Sequence, residues 1–172
     1  MRFSIFILLG LILVSCVDEK KQQPFQGVSI TPVYEDSVSI RAITFLDSNT
    51  LAFAGSKGVY GTVDVKTQKV RANTQKYDSI IPEFRAVGNT ATDFFMLSVG
   101  SPALLYKTGD QGIMELVYKE EGESVFYDAM AFWNDKEGIA IGDSINGCLS
   151  IILTRDGGQT WSKIPCEHLP GG

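Results

Sequence analysis

The chain has 172 residues, enough for one ordinary domain, and 44% of them are hydrophobic against 20% charged. This balance supports a packed core and argues against a disordered chain, while the 17 glycines indicate a fold with many turns. The net charge of −5 argues against the basic face that nucleic-acid binding requires.

The first predicted element is a leader peptide over residues 1–15. An apolar run from Phe3 to Val14 follows Arg2, and it is short for a membrane span but typical of a signal-peptide core. The run ends in Leu-Val-Ser-Cys, which resembles the lipobox of bacterial lipoproteins, so Cys16 is predicted to be acylated. An ordinary signal peptide with a chance cysteine is the alternative.

Lipidation at Cys16 implies a location in the cell envelope. The protein would be anchored in the outer or inner membrane of a bacterium and would face away from the cytoplasm. Residues 16–27 are polar and are predicted to be a tether between the anchor and the folded domain.

Residues 28–172 are predicted to be all-β and to form part of a β-propeller. Three segments with the same order of strand and turn signals cover about 39–72, 83–119 and 126–166. Each segment opens with a short apolar run, breaks at Asn, Asp or Ser, and continues with further short runs, as a four-stranded antiparallel blade requires. Repeats of about 40 to 50 residues with four strands are typical of propellers.

A shorter pattern supports the phase of this repeat. Thr62-x-Asp64, Thr108-x-Asp110 and Thr154-x-Asp156 follow one another at intervals of 46 residues. Helical solenoids have similar periods, but they need amphipathic runs at helical spacing, which the sequence lacks.

Three blades are fewer than the roughly four to eight that close a propeller. We therefore expect the gene to continue after Gly172 with roughly three or four further blades. The run at 28–34 is predicted as a strand that would complete the last blade, so it lacks its partner here. Residues 118–123 are interpreted as a solvated connection between blades.

Arg41, Arg85 and Asp128 recur at the start of the first strand of each segment. Because that strand lines the channel of a propeller, these side chains are predicted to converge near the axis. Two guanidinium groups there would clamp a carboxylate or an acidic peptide. Alternatively, the arginines pair with Asp128 and with nearby backbone groups as a structural ring. The sequence leaves both interpretations open.

The segment TRDGGQTW, residues 154–161, is predicted to be a structural turn. The side chain of Asp156 is expected to accept backbone N–H groups, and Gly158 is free to adopt positive φ. Thr154 and Thr160 flank the turn, and the ring of Trp161 is expected to fill the gap between blades. One carboxylate is too few oxygen ligands for a calcium site.

This segment resembles the Asp-box of bacterial neuraminidase (BNR) repeats, whose pattern is Ser/Thr-x-Asp-x-Gly-x-Thr-Trp, at every position that the pattern specifies. Together with the repeat phase and the arginines, it makes residues 28–170 similar to the propellers related to the photosystem II stability/assembly factor, a branch of the sialidase-like superfamily. The resemblance implies a non-catalytic platform that binds or assembles a protein or glycan partner. It implies nothing about photosynthesis.

The same resemblance raises a sialidase-like glycoside hydrolase as the alternative function. That chemistry needs three arginines, an acid/base Asp and a Tyr nucleophile activated by Glu. Only two arginines are in phase, and Tyr127 beside Asp128 is a poor substitute for the Tyr–Glu pair. No catalytic residue is therefore assigned.

Proteins of this type are also catalogued as oxidoreductases. The sequence carries no Gly-x-Gly-x-x-Gly and no Cys-x-x-Cys to support such a function. The single histidine, His168, does not make a metal site. We predict neither a cofactor nor a metal.

Cys148 and Cys166 are predicted to form a disulfide across the last hairpin. If Thr154 faces Thr160, the register places the two cysteines opposite each other, near the short end of the disulfide range. The leader places the chain where disulfides persist, and acylation of Cys16 leaves only these two thiols. With a slip of one residue, they would instead be two separate small core residues.

Overall fold

A computed structural model describes residues 27–109 and 112–169 and confirms the predicted fold class. The described chain forms three four-stranded antiparallel sheets, each the size of one propeller blade. Helical structure in these ranges is limited to short 3-10 turns such as Ser56–Gly58, and no helix there is long and apolar enough to cross a membrane.

Each blade uses four consecutive strands, and within a blade each strand pairs with the next one along the chain. The first blade consists of β1 (Ile40–Phe45), β2 (Thr50–Gly55), β3 (Val59–Asp64) and β4 (Val70–Thr74). The second consists of β5 (Phe84–Asn89), β6 (Phe94–Ser98), β7 (Ala103–Thr108) and β8 (Met114–Glu120). The third consists of β9 (Tyr127–Phe132), β10 (Gly138–Ile145), β11 (Cys148–Thr154) and β12 (Ser162–Lys163).

The first strands of the three blades are the inner strands, and they lie side by side. Strand β5 contacts both β1 and β9. The hydroxyl of Thr44 on β1 donates to Oδ1 of Asn89 on β5 at 2.7 Å. The blades therefore follow one another as in a propeller, and all belong to one compact unit that begins at Pro32.

Two apolar clusters form the core, one at each junction between blades. The first junction, between the first and second blades, packs Ala52 and Ala54 against Phe84, Met96 and neighbouring side chains. The second junction, between the second and third blades, contains Phe95, Leu97, Tyr127, Ile152 and Trp161. Each cluster contains three buried aromatic rings: Phe84, Phe94 and Tyr106 at the first junction, and Phe95, Tyr127 and Trp161 at the second.

The run at 28–34, predicted as a strand, is not one in the structure. Residues 27–39 form no strand, and most of their side chains are exposed to solvent. A strand is stable only with a ladder partner and a covered face, so an unpaired run remains irregular. Near its end, the ring of Tyr34 lies 5.5 Å from that of Phe53 on β2.

Candidate functional site

The residues predicted to lie near the axis occupy one structural position in all three blades. The register between the first and second strands shifts once in each blade, and the residue without a direct partner is Arg41, Arg85 or Asp128. Such a β-bulge opposes two residues to one and re-aims the side chain of the extra residue. The three side chains are therefore presented by a repeated device at the beginning of each inner strand.

A repeated backbone hydrogen bond closes each bulge. The carbonyl oxygens of Ser39, Glu83 and Phe126, each two residues before the bulged residue, accept backbone N–H groups of Ser56, Val99 and Asp143 at 2.9, 2.9 and 2.8 Å. In the first and third blades, a Cβ added at Gly55 or Gly142 would lie 2.1 Å from the Ser39 or Phe126 oxygen. Glycine at these two positions allows the close approach of the two backbones.

Arg85 and Asp128 form an ion pair between neighbouring inner strands. Nε of Arg85 lies 2.8 Å from Oδ1 of Asp128, and the two side chains are 42% and 38% exposed. The Arg85 guanidinium carbon also lies 5.3 Å from the centre of the Phe126 ring. An exposed pair of this kind contributes at most about 1 kcal/mol to stability. Its main effect is to fix the orientation of the Arg85 guanidinium group.

Arg41 differs from Arg85 in having no ionic partner among the residues that the structure describes. Its side chain is exposed, and no carboxylate of the described residues lies within ion-pair distance of it. The structural ring considered from the sequence is therefore limited to Arg85 and Asp128. Arg41 remains a solvated cation on the strand next to that pair.

The turn at 154–161 is held together by the side chains of Thr154, Asp156 and Thr160. Oδ1 of Asp156 accepts the Thr154 hydroxyl at 2.8 Å and the Thr160 backbone N–H at 3.0 Å, and Oδ2 accepts the Thr160 hydroxyl at 2.6 Å. The Thr154 oxygen accepts the N–H of Gly158 at 2.9 Å. The Thr160 hydroxyl and then its N–H lower the pKa of Asp156.

Two residues of this turn contact the neighbouring blade. Gly158 has φ +78°, and a Cβ there would lie 2.3 Å from Cε1 of Phe95. The Trp161 ring is 7% exposed and lies 6.3 Å from the Phe95 ring and 5.8 Å from the Phe132 ring. Trp161 therefore fills the second junction, and the turn has a packing role at the end of the strands away from the bulges.

The earlier copies of this turn are less regular than the sequence suggested. Asp110 lies outside the described residues. In the first blade, Thr62 pairs with Ala52, which itself faces the residue three positions after the bulge. In the second blade, Lys107 holds the same position, because it pairs with Phe95. Thr62 is thus the counterpart of Lys107 and not of Thr108, so the interval of 46 residues does not match the strand register there.

Cys148 and Cys166 are joined by a disulfide, with their Cα atoms 5.6 Å apart. The predicted register of that hairpin is wrong by one residue, because Ile152 faces Lys163 and not Ser162. The cause is that Thr160 bonds to Asp156 within the turn and does not pair across it. Cys166 lies beyond β12 on a 3-10 turn, which brings it to Cys148.

The structure contains a Tyr–Glu cluster that the sequence did not reveal. Tyr118 and Tyr127 both donate hydrogen bonds to Oε2 of Glu120 at 2.7 Å, and Lys163 pairs with Oε1. The interpretation of 118–123 as a solvated connection is therefore wrong for Tyr118 and Glu120. These residues come from β8, β9 and β12, so no local sequence signal joins them.

The pKa shifts in this cluster favour a neutral Tyr127 and a charged Glu120, as in a structural hydrogen-bond network. Burial and the hydrogen bond to Glu120 raise the pKa of Tyr127 far above its usual value, and the side chain is completely buried. Burial alone would raise the pKa of Glu120, but hydrogen bonds from Lys163, Tyr127 and Tyr118 outweigh it and lower the pKa. A neutral, inaccessible Tyr127 is unsuited to the nucleophile role of the sialidase alternative.

Cys16, the predicted lipidation site, lies outside the described residues, as does nearly all of the predicted tether.

No family model matches the chain, and no curated protein sequence matches it significantly. Among solved structures, one of YCF48 bound to a D1 peptide is 18% identical, with a TM-score of 0.56, over 73% of this chain and 39% of that one. YCF48 from Cyanidioschyzon merolae is 17% identical, with a TM-score of 0.47, over 74% of this chain and 40% of that one. The first similarity supports the propeller fold, and the chain spans about two fifths of these relatives' length.

Proposed function

We propose that this chain is part of a non-catalytic propeller lipoprotein of the cell envelope, which binds a carboxylate-bearing segment of a protein partner at the inner-strand bulges. One observation carries the proposal: Arg41 and Arg85 occupy equivalent bulges on neighbouring inner strands, and Arg41 has no ionic partner among the described residues.

The chemistry of the two arginines fits a carboxylate. A guanidinium group presents five donors in a rigid fork that matches carboxylate geometry. The pair with Asp128 and the contact with Phe126 hold Arg85 in place, so less conformational entropy is lost when it binds a ligand. Arg41 supplies a second positive charge on the adjacent strand, and no described carboxylate pairs with it.

Two further considerations support a protein partner and an anchor. The solved structure of YCF48 with a D1 peptide is an example of a similar fold that binds a peptide. The sequence Leu-Val-Ser-Cys at residues 13–16 supports a lipid anchor, which would keep the propeller near partners at the membrane surface.

The test measures binding of a fluorescein-labelled peptide of alternating Glu and Gly residues by fluorescence anisotropy. A peptide with Gln in place of Glu is the neutral control. We expect Arg41→Gln to weaken binding of the acidic peptide about tenfold, the value of one charge-assisted hydrogen bond of about 1.5 kcal/mol. We expect Arg85→Gln to have an effect at least as large, because that side chain is already oriented.

Arg155→Gln is the matched control, because it removes the same charge from an exposed side chain on the distant 154–161 turn. Binding to this variant should stay within about twofold of wild type, since exposed charges beyond a Debye length of about 10 Å are largely screened at 0.1 M salt. Equal weakening in all three variants would indicate a general charge effect and would refute the proposed site, as would absence of binding to wild type.

A further inference from the structure

The second junction is closed by three aromatic rings. Phe95 of the second blade packs against Phe132 and Trp161 of the third, with ring centres 4.7 and 6.3 Å away. The Phe132 and Trp161 rings are themselves 5.8 Å apart and nearly perpendicular. These rings fill the space between the blades at the end of the strands away from the bulges.

The bulges give the matching positions at the first junction. Ala52 corresponds to Phe95, because each pairs with the residue three positions after the bulge. Asn89 corresponds to Phe132, because each lies four positions after the bulge of its own inner strand. Two rings of the second junction are thus replaced by a methyl group and a short amide.

The third ring is replaced by a thioether side chain. Met114 pairs with Thr108 at the end of β7. Ser162 pairs with Leu153, which places the preceding Trp161 opposite the end of β11. Met114 therefore stands where the third blade has Trp161.

The first junction has a cavity beside Met114, and Met114 is the one of these three positions that lines it. It has a volume of about 290 Å³, and its apolar lining includes Leu46, Tyr60, Phe94 and Met114. Phe94 adds one ring at the position of Gly138, but this does not fill the space. A cavity of roughly half this volume in another protein accepts benzene, so the space is sufficient for one aromatic ring.

The rim of the cavity carries an arginine, Arg71. Arg71 and Asp93 both line it. Asp93 is balanced, because it lies 3.4 Å from the Lys107 ammonium group and accepts the Thr92 hydroxyl at 2.7 Å. Arg71 is exposed and has no ion-pair partner among the residues that the structure describes. The rim is therefore complementary to an anion.

We propose that the first junction binds one aromatic ring that carries a carboxylate, with the ring between Phe94 and Met114 and the carboxylate on Arg71. The ring takes the place that Trp161 occupies at the second junction. The carboxylate comes from a free aromatic acid or from the C-terminal aromatic residue of a peptide. The cavity lies at the opposite end of the inner strands from Arg41, so this proposal does not depend on the proposed function.

Indole-3-acetate is the probe, because it joins the ring of Trp161 to a carboxylate. We expect a ligand of this size to bind with a Kd of about 1 mM or tighter, so binding is followed by NMR up to several millimolar. Arg71→Gln should weaken binding at least tenfold, and Met114→Trp should abolish it by supplying the missing ring from within. Lys57→Gln removes a positive charge from the Ser56–Gly58 turn beside the bulge of the first blade, at the other end of the strands, and should leave binding unchanged.

The controls separate this site from adventitious binding. The neutral analogue 3-methylindole should bind about tenfold more weakly than indole-3-acetate, since it lacks the group that Arg71 holds. Thermal unfolding establishes that Met114→Trp is folded; if it is not, the Arg71→Gln result decides. No binding to wild type, or equal binding to wild type and Arg71→Gln, overturns the proposal.

Two peptides that end in Ala-Ala-Trp, one with a free and one with an amidated C-terminus, distinguish the sources of the ligand. Binding of the free-acid peptide through Arg71 identifies a peptide C-terminus as an accepted ligand. Binding of indole-3-acetate without binding of either peptide assigns the site to small aromatic acids. Equal binding of the two peptides overturns the proposal, because the carboxylate then contributes nothing.

Discussion

Replacement of Trp161 by alanine is expected to destabilise the fold strongly, because this ring joins the second blade to the third. The side chain is 7% exposed and lies within 6.3 Å of both Phe95 and Phe132, measured between ring centres. Truncation of a buried aromatic side chain removes its transfer free energy and leaves a cavity, at a cost of about 3 to 5 kcal/mol.

Trp133→Ala is the matched control, because Trp133 is the other tryptophan of the chain and is 66% exposed. Its replacement should change the free energy of unfolding by about 0.5 kcal/mol or less. For a domain of this size, each kcal/mol shifts the melting temperature by about 2 to 4 °C. Trp161→Ala should therefore lower the melting temperature by about 6 to 20 °C, and Trp133→Ala by about 2 °C or less.

Urea unfolding of wild type and both variants, followed by far-ultraviolet circular dichroism, measures the two free energies. Similar losses in the two variants would refute the assignment of Trp161 as the residue that closes the second junction. A loss below about 1 kcal/mol in Trp161→Ala would do the same, since it would mean that the ring is not buried between blades.

Further predictions concern the turn, the disulfide, the half-buried carboxylate of Glu120 and the anchor. Gly158→Ala should lower the free energy of unfolding by more than about 2 kcal/mol, since it adds a clash with Phe95 to a left-handed backbone. Gly147 has a similar φ but open space around it, so Gly147→Ala should cost only the backbone strain of about 1 to 2 kcal/mol in the same unfolding assay. Cys148→Ser should lower the free energy of unfolding by about 3 kcal/mol relative to the oxidised protein. Intact-mass analysis after alkylation without reductant should find no free thiol at Cys148 or Cys166 in wild type, and two alkylated thiols would exclude the bridge. Because the pKa of Glu120 is lowered in the fold, its contribution to stability is present above the pKa of an unfolded glutamate and is lost as the pH falls through the lowered value. Glu120→Gln should therefore flatten the acid side of the plot of stability against pH, and an unchanged plot would contradict the hydrogen-bond network around Glu120. An acyl-chain analogue should label wild type in cells and leave Cys16→Ala unlabelled, and equal labelling of both would argue against the lipid anchor.

The repeat phase was enough to predict the fold and the equivalence of Arg41, Arg85 and Asp128. Four-stranded blades have strong turn signals and a fixed period, so the strand order follows from the sequence. The bulge could not be predicted, because residues with an ordinary strand pattern surround each of these positions. The bulge arises from the close approach of two backbones, which is a property of the paired strands.

The register error in the last hairpin has a physical origin in the turn. The hairpin before Cys166 is shifted because the Thr160 hydroxyl bonds to Asp156 inside the turn, and side-chain bonds of this kind compete with the strand ladder. The cluster of Tyr118, Glu120 and Tyr127 was missed for a different reason. Its members meet across a blade junction, and such contacts leave no local pattern in the sequence.

The most direct test of the proposed function is an NMR titration of the isotope-labelled chain with the alternating Glu-Gly peptide. The account predicts that the largest amide shifts occur at the bulges, at residues 40–42, 84–86 and 127–129, and that they disappear in Arg41→Gln/Arg85→Gln. Shifts concentrated on the outer strands β4, β8 and β12, or unchanged shifts in the double variant, would contradict binding at the inner-strand bulges.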